Sequence, residues 1–81
     1  RGGLARNAAV ALGNVGTVED LPALVAALDD ASELVRGHAA WAIGELGRRT
    51  GAAGWRAPLE ARLAIEQDPQ VREELTLALG A

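Results

Sequence analysis

The chain repeats itself, and this constrains its fold more than any other feature of its 81 residues. The run Val35-Arg36-Gly37-His38-Ala39-Ala40-Trp41-Ala42-Ile43-Gly44 aligns with Leu4 to Gly13, 31 residues upstream, and with Val71 to Gly80, 36 residues downstream. Between these segments lie two others that match each other, Leu21 to Leu28 and Ala57 to Ile65, each with a proline near its start. The extra five residues of the second interval fall between Arg48 and Trp55.

Apolar spacing and punctuation make each segment a helix. Val35, Ala39, Ala42, Ile43 and Leu46 recur on one helical face. Ser32 is a candidate N-cap and Gly47 a left-handed terminator, with Gly16 in the matching place after the first helix. Asp68-Pro69 offers a cap followed by proline at the first helical position. The expected helices are 4–15, 18–29, 33–46, 56–67 and 69–80, with Gly51-Ala52-Ala53-Gly54 as a flexible connector. Two helices per period of thirty-odd residues make an all-α solenoid of about two and a half helical-hairpin repeats, because no single hairpin buries its own apolar face. Gly13, Gly44 and Gly80 share one repeat position, where glycine costs about 1 kcal/mol relative to alanine. Close approach of stacked helices would account for that cost.

Composition narrows the function. The chain has no cysteine, so it holds no disulfide, thiolate nucleophile or cysteine-ligated cluster, which fits a reducing, cytoplasmic setting. Its longest apolar run, Leu21 to Leu28, is far shorter than the roughly 20 residues that span a bilayer. Residues 1–81 read as one domain, and a start at Arg1 inside a helical pattern suggests a piece of a larger chain. His38 is the single histidine, with no cysteine or close carboxylate pair at metal spacing, so neither a catalytic residue nor a metal ligand is expected. The net charge is −3, but all eight cations are arginine, whose planar fork suits phosphate and carboxylate alike.

Two groups of polar residues stand out. Arg36 and Arg72 share a repeat position shortly after Asp29, Asp30 and Asp68, which suits either a ladder of Asp–Arg pairs between successive turns or a row of phosphate contacts, the ladder being the expected one. Leu34, His38, Trp41 and Glu45 form a stripe beside the buried face, and their repeat neighbours are Asn7, Val10 and Asn14. Trp41 occupies the place of Val10 and Leu77, so it either fills a groove between helices or offers an indole to a partner. Arg48, Arg49 and Arg56 make the most basic cluster.

The runs Arg6-Asn7-Ala8-Ala9-Val10-Ala11-Leu12-Gly13-Asn14 and Val35-Arg36-Gly37-His38-Ala39-Ala40-Trp41-Ala42 give the chain a resemblance to the HEAT-like repeats also called PBS-lyase repeats. More narrowly, nearly the whole chain is similar to the C-terminal repeat domain of the tRNA epoxyqueuosine reductases, oxidoreductases of queuosine biosynthesis. The resemblance implies a non-catalytic module that helps grip a tRNA anticodon stem-loop. Cobalamin and iron–sulfur clusters would belong to other domains of such an enzyme, and this segment carries no cofactor of its own. Asn7, Asn14, His38 and Trp41 match the family's pattern; with Arg6, Arg48 and Arg49 they form the candidate surface for RNA or another partner. The alternative is a generic protein-interaction scaffold centred on Trp41, which the acidic balance favours.

Overall fold

Short loops and apolar stripes leave the helices one arrangement, antiparallel hairpins stacked side by side. The computed structural model describes residues 5–80. It contains α1 (Arg6–Val15), a 3-10 turn (Val18–Asp20), α2 (Leu21–Ala27), α3 (Glu33–Thr50), α4 (Arg56–Ile65) and α5 (Pro69–Ala78), with no strand among the described residues. The all-α solenoid expected from the repeat is the observed architecture. No described helix is long and apolar enough to cross a membrane.

Helix α3 is the centre of the molecule and packs against α1, α2, α4 and α5. Its Ala39, Ala40, Ala42, Ile43 and Leu46 are fully buried with Leu24 and Leu28 before it and Leu59, Val71 and Leu75 after it. Val35, expected inward, is only half-buried. Helices α1, α3 and α5 form one row running in the same direction, because the last turn of α3 reaches the C-terminal ends of both neighbours. Arg49 donates to the carbonyls of Gly13 at 3.0 Å and Gly16 at 2.9 Å, and Arg48 donates to that of Ala78 at 2.8 Å. These carbonyls are the ones a helix end leaves unsatisfied. Arg49→Ala is therefore expected to cost about 1–2 kcal/mol in urea unfolding, as several charge-assisted hydrogen bonds are lost together.

The caps at the helix starts are as the sequence indicates. Ser32 Oγ accepts from the N–H of Val35 at 3.3 Å, and Asp68 Oδ2 accepts from that of Val71 at 3.0 Å. The helix ends differ. Gly47 does not terminate α3 but lies buried within it, and the helix runs one more turn to Gly51, which takes the left-handed conformation at φ 68°. Trp55 accounts for the glycine there: its indole lies directly over Gly47, where a Cβ would collide with the ring. Gly16 is extended, not left-handed. The segment 18–29 opens with a 3-10 turn instead of a full α-turn, fixed by Thr17 and Asp20: the N–H of Glu19 donates to Thr17 Oγ1, and that of Thr17 to Asp20 Oδ2. The expected flexible connector is a tight turn with Ala52 buried in the core.

The rationale for glycine at the shared repeat position holds for two of its three members. A Cβ at Gly44 would fall 2.9 Å from Ala78 Cβ and 3.0 Å from its Cα, so α3 and α5 touch backbone to backbone. A Cβ at Gly13 would fall 2.6 Å from the Trp41 ring. Gly80 lies beyond α5 at φ 75°, where its role is conformational.

The Asp–Arg ladder is corrected in its partners. Arg36 pairs with Glu66, not with Asp29, Asp30 or Asp68: its Nε and Nη2 each donate to one carboxylate oxygen at 2.9 Å. Its Nη1 donates to the carbonyl of Asp30 at 2.9 Å, and Arg72 repeats this contact with the carbonyl of Glu66 at 3.0 Å. Asp29 instead meets Arg62 at 3.2 Å. The carboxylates of Asp30 and Asp68 are instead turned to their own local backbone, accepting from the N–H groups of Ser32 at 2.9 Å and Val71 at 3.0 Å, which leaves Glu66 as the partner of Arg36.

Candidate functional site

The N-terminal halves of α1, α3 and α5 enclose a groove of about 450 Å³. Its α1 wall carries Arg6, Ala9 and Val10, and its α5 wall carries Asp68, Gln70, Val71, Glu73 and Glu74. Between them α3 supplies Glu33, Leu34, Gly37, His38 and Trp41. No residue of α2 or α4 takes part, which places the groove on the outer face of the three-helix row. Leu34 is 67% exposed and lines the groove together with Val10 and the half-buried Trp41, so its apolar side chain is part of a shared lining and not an isolated one.

Trp41 has both of the roles its position suggests. The edge of its six-membered ring rests against Gly13 and secures α1 to α3, while the half-buried remainder lines the groove. Glu45, next on the same stripe, approaches Gly13 and pairs with Arg48 at 3.1 Å. His38 is half-buried, and its Nδ1 is closed off from solvent with no hydrogen-bond partner.

Gly37 forms part of the groove lining for want of a side chain. A Cβ there would meet only Glu74 Cγ, at 3.8 Å, an ordinary contact. Unlike Gly13, Gly44 and Gly47, it is not required by packing or by a positive φ. Gly37→Ala is therefore expected to stabilise the chain by about 0.5–1 kcal/mol through helix propensity, read as a higher melting temperature.

The sequence-expected surface is only partly assembled. Arg6, His38 and Trp41 meet in the groove, while Asn7 and Asn14 are exposed on α1 outside it. Arg48 and Arg49 are engaged at the ends of α5 and α1. Arg56 donates to the carbonyl of Leu79 at 2.6 Å, and its guanidinium lies 5.1 Å from the centre of the Trp55 ring, a cation–π contact. Glu74 falls in the same repeat rows as the His38–Trp41 stripe and is legible there, whereas Glu33 of α3, Glu73 of α5 and Gly37 are missed by spacing arguments. Periodicity assigns such charges to a solvated face, and only the juxtaposition of α3 and α5 collects them.

The buried polar centre lies apart from the groove. Glu66 is 3% exposed and accepts from Arg36, from Arg62 Nε at 3.0 Å and from the backbone N–H of Asp68 at 3.0 Å. The Arg36 hydrogen bonds, aided by the other two donors, outweigh desolvation and hold its carboxyl at about 2. Every carboxylate oxygen is satisfied by a local donor, the pattern of a structural clamp. Among the described residues no group of three or more His, Cys, Asp or Glu could hold a metal ion.

Residues 3–80 match the family model described as HEAT repeats. No curated protein and no solved structure matches the chain.

Proposed function

The chain belongs to the HEAT-repeat family, and we propose that it is a non-catalytic binding scaffold that holds a protein partner in the groove beside Trp41. Solenoids of this kind bind through extended surfaces built from successive repeats. The observation that carries the reading is the groove itself, in which a half-buried indole and an exposed leucine lie side by side with no covering element. Buried aromatic anchors of this sort dominate binding energy at protein interfaces.

A second reading follows from the resemblance noted in the sequence, a module gripping a tRNA anticodon stem-loop within an epoxyqueuosine reductase. Asn7 and Asn14 favour it: both are exposed on α1, and neither side chain is hydrogen-bonded among the described residues. With Arg6 they offer a polar strip for phosphate or base contacts. Against it stand the acids of the groove and the engagement of Arg48 and Arg49 by helix ends.

The readings separate in a titration of an anticodon stem-loop RNA, followed by amide chemical shifts at low and high salt. On the scaffold reading the RNA produces no saturable shifts. Saturable shifts at Arg6, Asn7 and Asn14 that vanish with added salt, as counterion release demands, would reverse the order of the two.

A further inference from the structure

We propose that the groove takes a basic segment of its protein partner, with an arginine or lysine side chain held against the α5 wall. This rests on the groove being the binding surface, as argued above, and adds the chemistry of its occupant.

Charge is the first reason. The lining holds Glu33, Asp68, Glu73 and Glu74 against the single cation Arg6. Asp68 uses one oxygen to cap α5, and among the described residues Glu33, Glu73 and Glu74 have no ion-pair partner. Glu33 sits in the first turn of α3, where the helix dipole welcomes a carboxylate, so local structure accounts for it. Glu73 and Glu74 lie beyond the first turn of α5 and gain little from the dipole. The charge is also lopsided: Arg6 stands on the α1 wall and the acids on α3 and α5. A bound cation therefore belongs toward α5, and the apolar or acidic part of the segment toward Val10 and Arg6.

Shape is the second reason. Gly37 weakens α3 without serving its packing, and the missing side chain leaves room for a ligand between Glu74 and Trp41. The aliphatic stem of an arginine or lysine fits along Trp41 and Leu34 while its head reaches the carboxylates, the way long cationic side chains cover apolar surface. The indole adds attraction for the cation. A polyanion meets repulsion at the same wall.

The test uses the full chain as bait for a displayed random peptide library, followed by titration of the recovered peptides as synthetic probes. Recovered peptides should be enriched in arginine and lysine. Combined Glu33→Gln, Glu73→Gln and Glu74→Gln changes should weaken them about tenfold, the sum of several exposed charge pairs, and flatten their salt dependence. Gly37→Leu should weaken them more than tenfold with circular dichroism and melting retained; if that variant does not fold, Leu34→Ser serves instead, at a position already exposed. Peptides with no basic bias that ignore the glutamine changes but fail on Gly37→Leu would overturn the charge proposal and leave the groove standing. A library without binders, or binders indifferent to the Gly37 and Leu34 changes, would overturn both.

Discussion

Glu66→Ala is expected to cost about 3–5 kcal/mol, most of what a domain of this size possesses. The carboxylate is 3% exposed and receives both forks of Arg36, the Nε of Arg62 and the N–H of Asp68. Its removal leaves the Arg36 guanidinium, whose side chain is only 14% exposed, without a counter-charge between repeats. The same clamp sets the acid response. The folded carboxyl titrates at about 2 against 4.5 for the ordinary group. Its contribution is thus fully present above about pH 4.5 and is lost as pH falls through 2; the shift corresponds to about 3 kcal/mol. Urea unfolding followed by circular dichroism at neutral pH and near pH 3 checks both statements. A loss below about 1 kcal/mol at neutral pH, or a variant whose stability falls with acid as steeply as the parent's, would show that the clamp is not the main tie between repeats.

Gly44→Val is expected to cost about 3 kcal/mol or more, the upper end of overpacking penalties, despite replacing a helix-interior glycine. A Cβ at this position falls 2.9 Å from Ala78 Cβ, 3.0 Å from its Cα and 3.2 Å from its carbonyl oxygen. Backbone cannot swing aside as a side-chain tip can, so α5 must move as a unit, and with it Leu75, which is fully buried. Thermal melting compared with Gly37→Ala isolates the cause. The two glycines share one helix, yet one substitution should lower the melting temperature and the other raise it. Two changes of the same sign would mean that propensity, not helix contact, governs both.

The contrast between these glycines shows how far the sequence can be read. Repetition identified the shared position of Gly13 and Gly44 and attributed it to close helix approach. Gly37 stands at another repeat position, aligned with Arg6 and Glu73, and repetition gives no reason for it, since the reason lies in what stands opposite each glycine: Ala78 backbone for Gly44, the Trp41 ring for Gly13 and, for Gly37, the groove with only Glu74 Cγ at contact distance. Gly47 misled for the same reason. A glycine there reads as a helix stop, whereas in the structure it lies inside α3 because the Trp55 ring seated on it leaves no room for a side chain.

Glu66 lay within reach of the repeat but needed one further step. It stands 36 residues after Asp30, and both carboxylates accept from the N–H two residues on, Ser32 for Asp30 at 2.9 Å and Asp68 for Glu66 at 3.0 Å. The equivalence was therefore in the alignment. That Glu66 alone extends to Arg36 of the previous repeat was not, because side-chain reach across an interface depends on the spacing of the helices.

The sequence by itself determined the helical segments, the caps of α3 and α5 and the repeat family to which the chain belongs, since each follows from periodicity and from hydrogen bonds between near neighbours. Tertiary structure alone decided where the helices end, which carboxylate holds the repeats together and which polar residues share a surface. Those outcomes depend on contacts between residues some thirty positions apart, as with Arg36 and Glu66, Arg49 and Gly13, or Glu74 and Gly37. Periodicity fixes the face on which such a residue lies, but only the packing of one helix on the next fixes what it meets there.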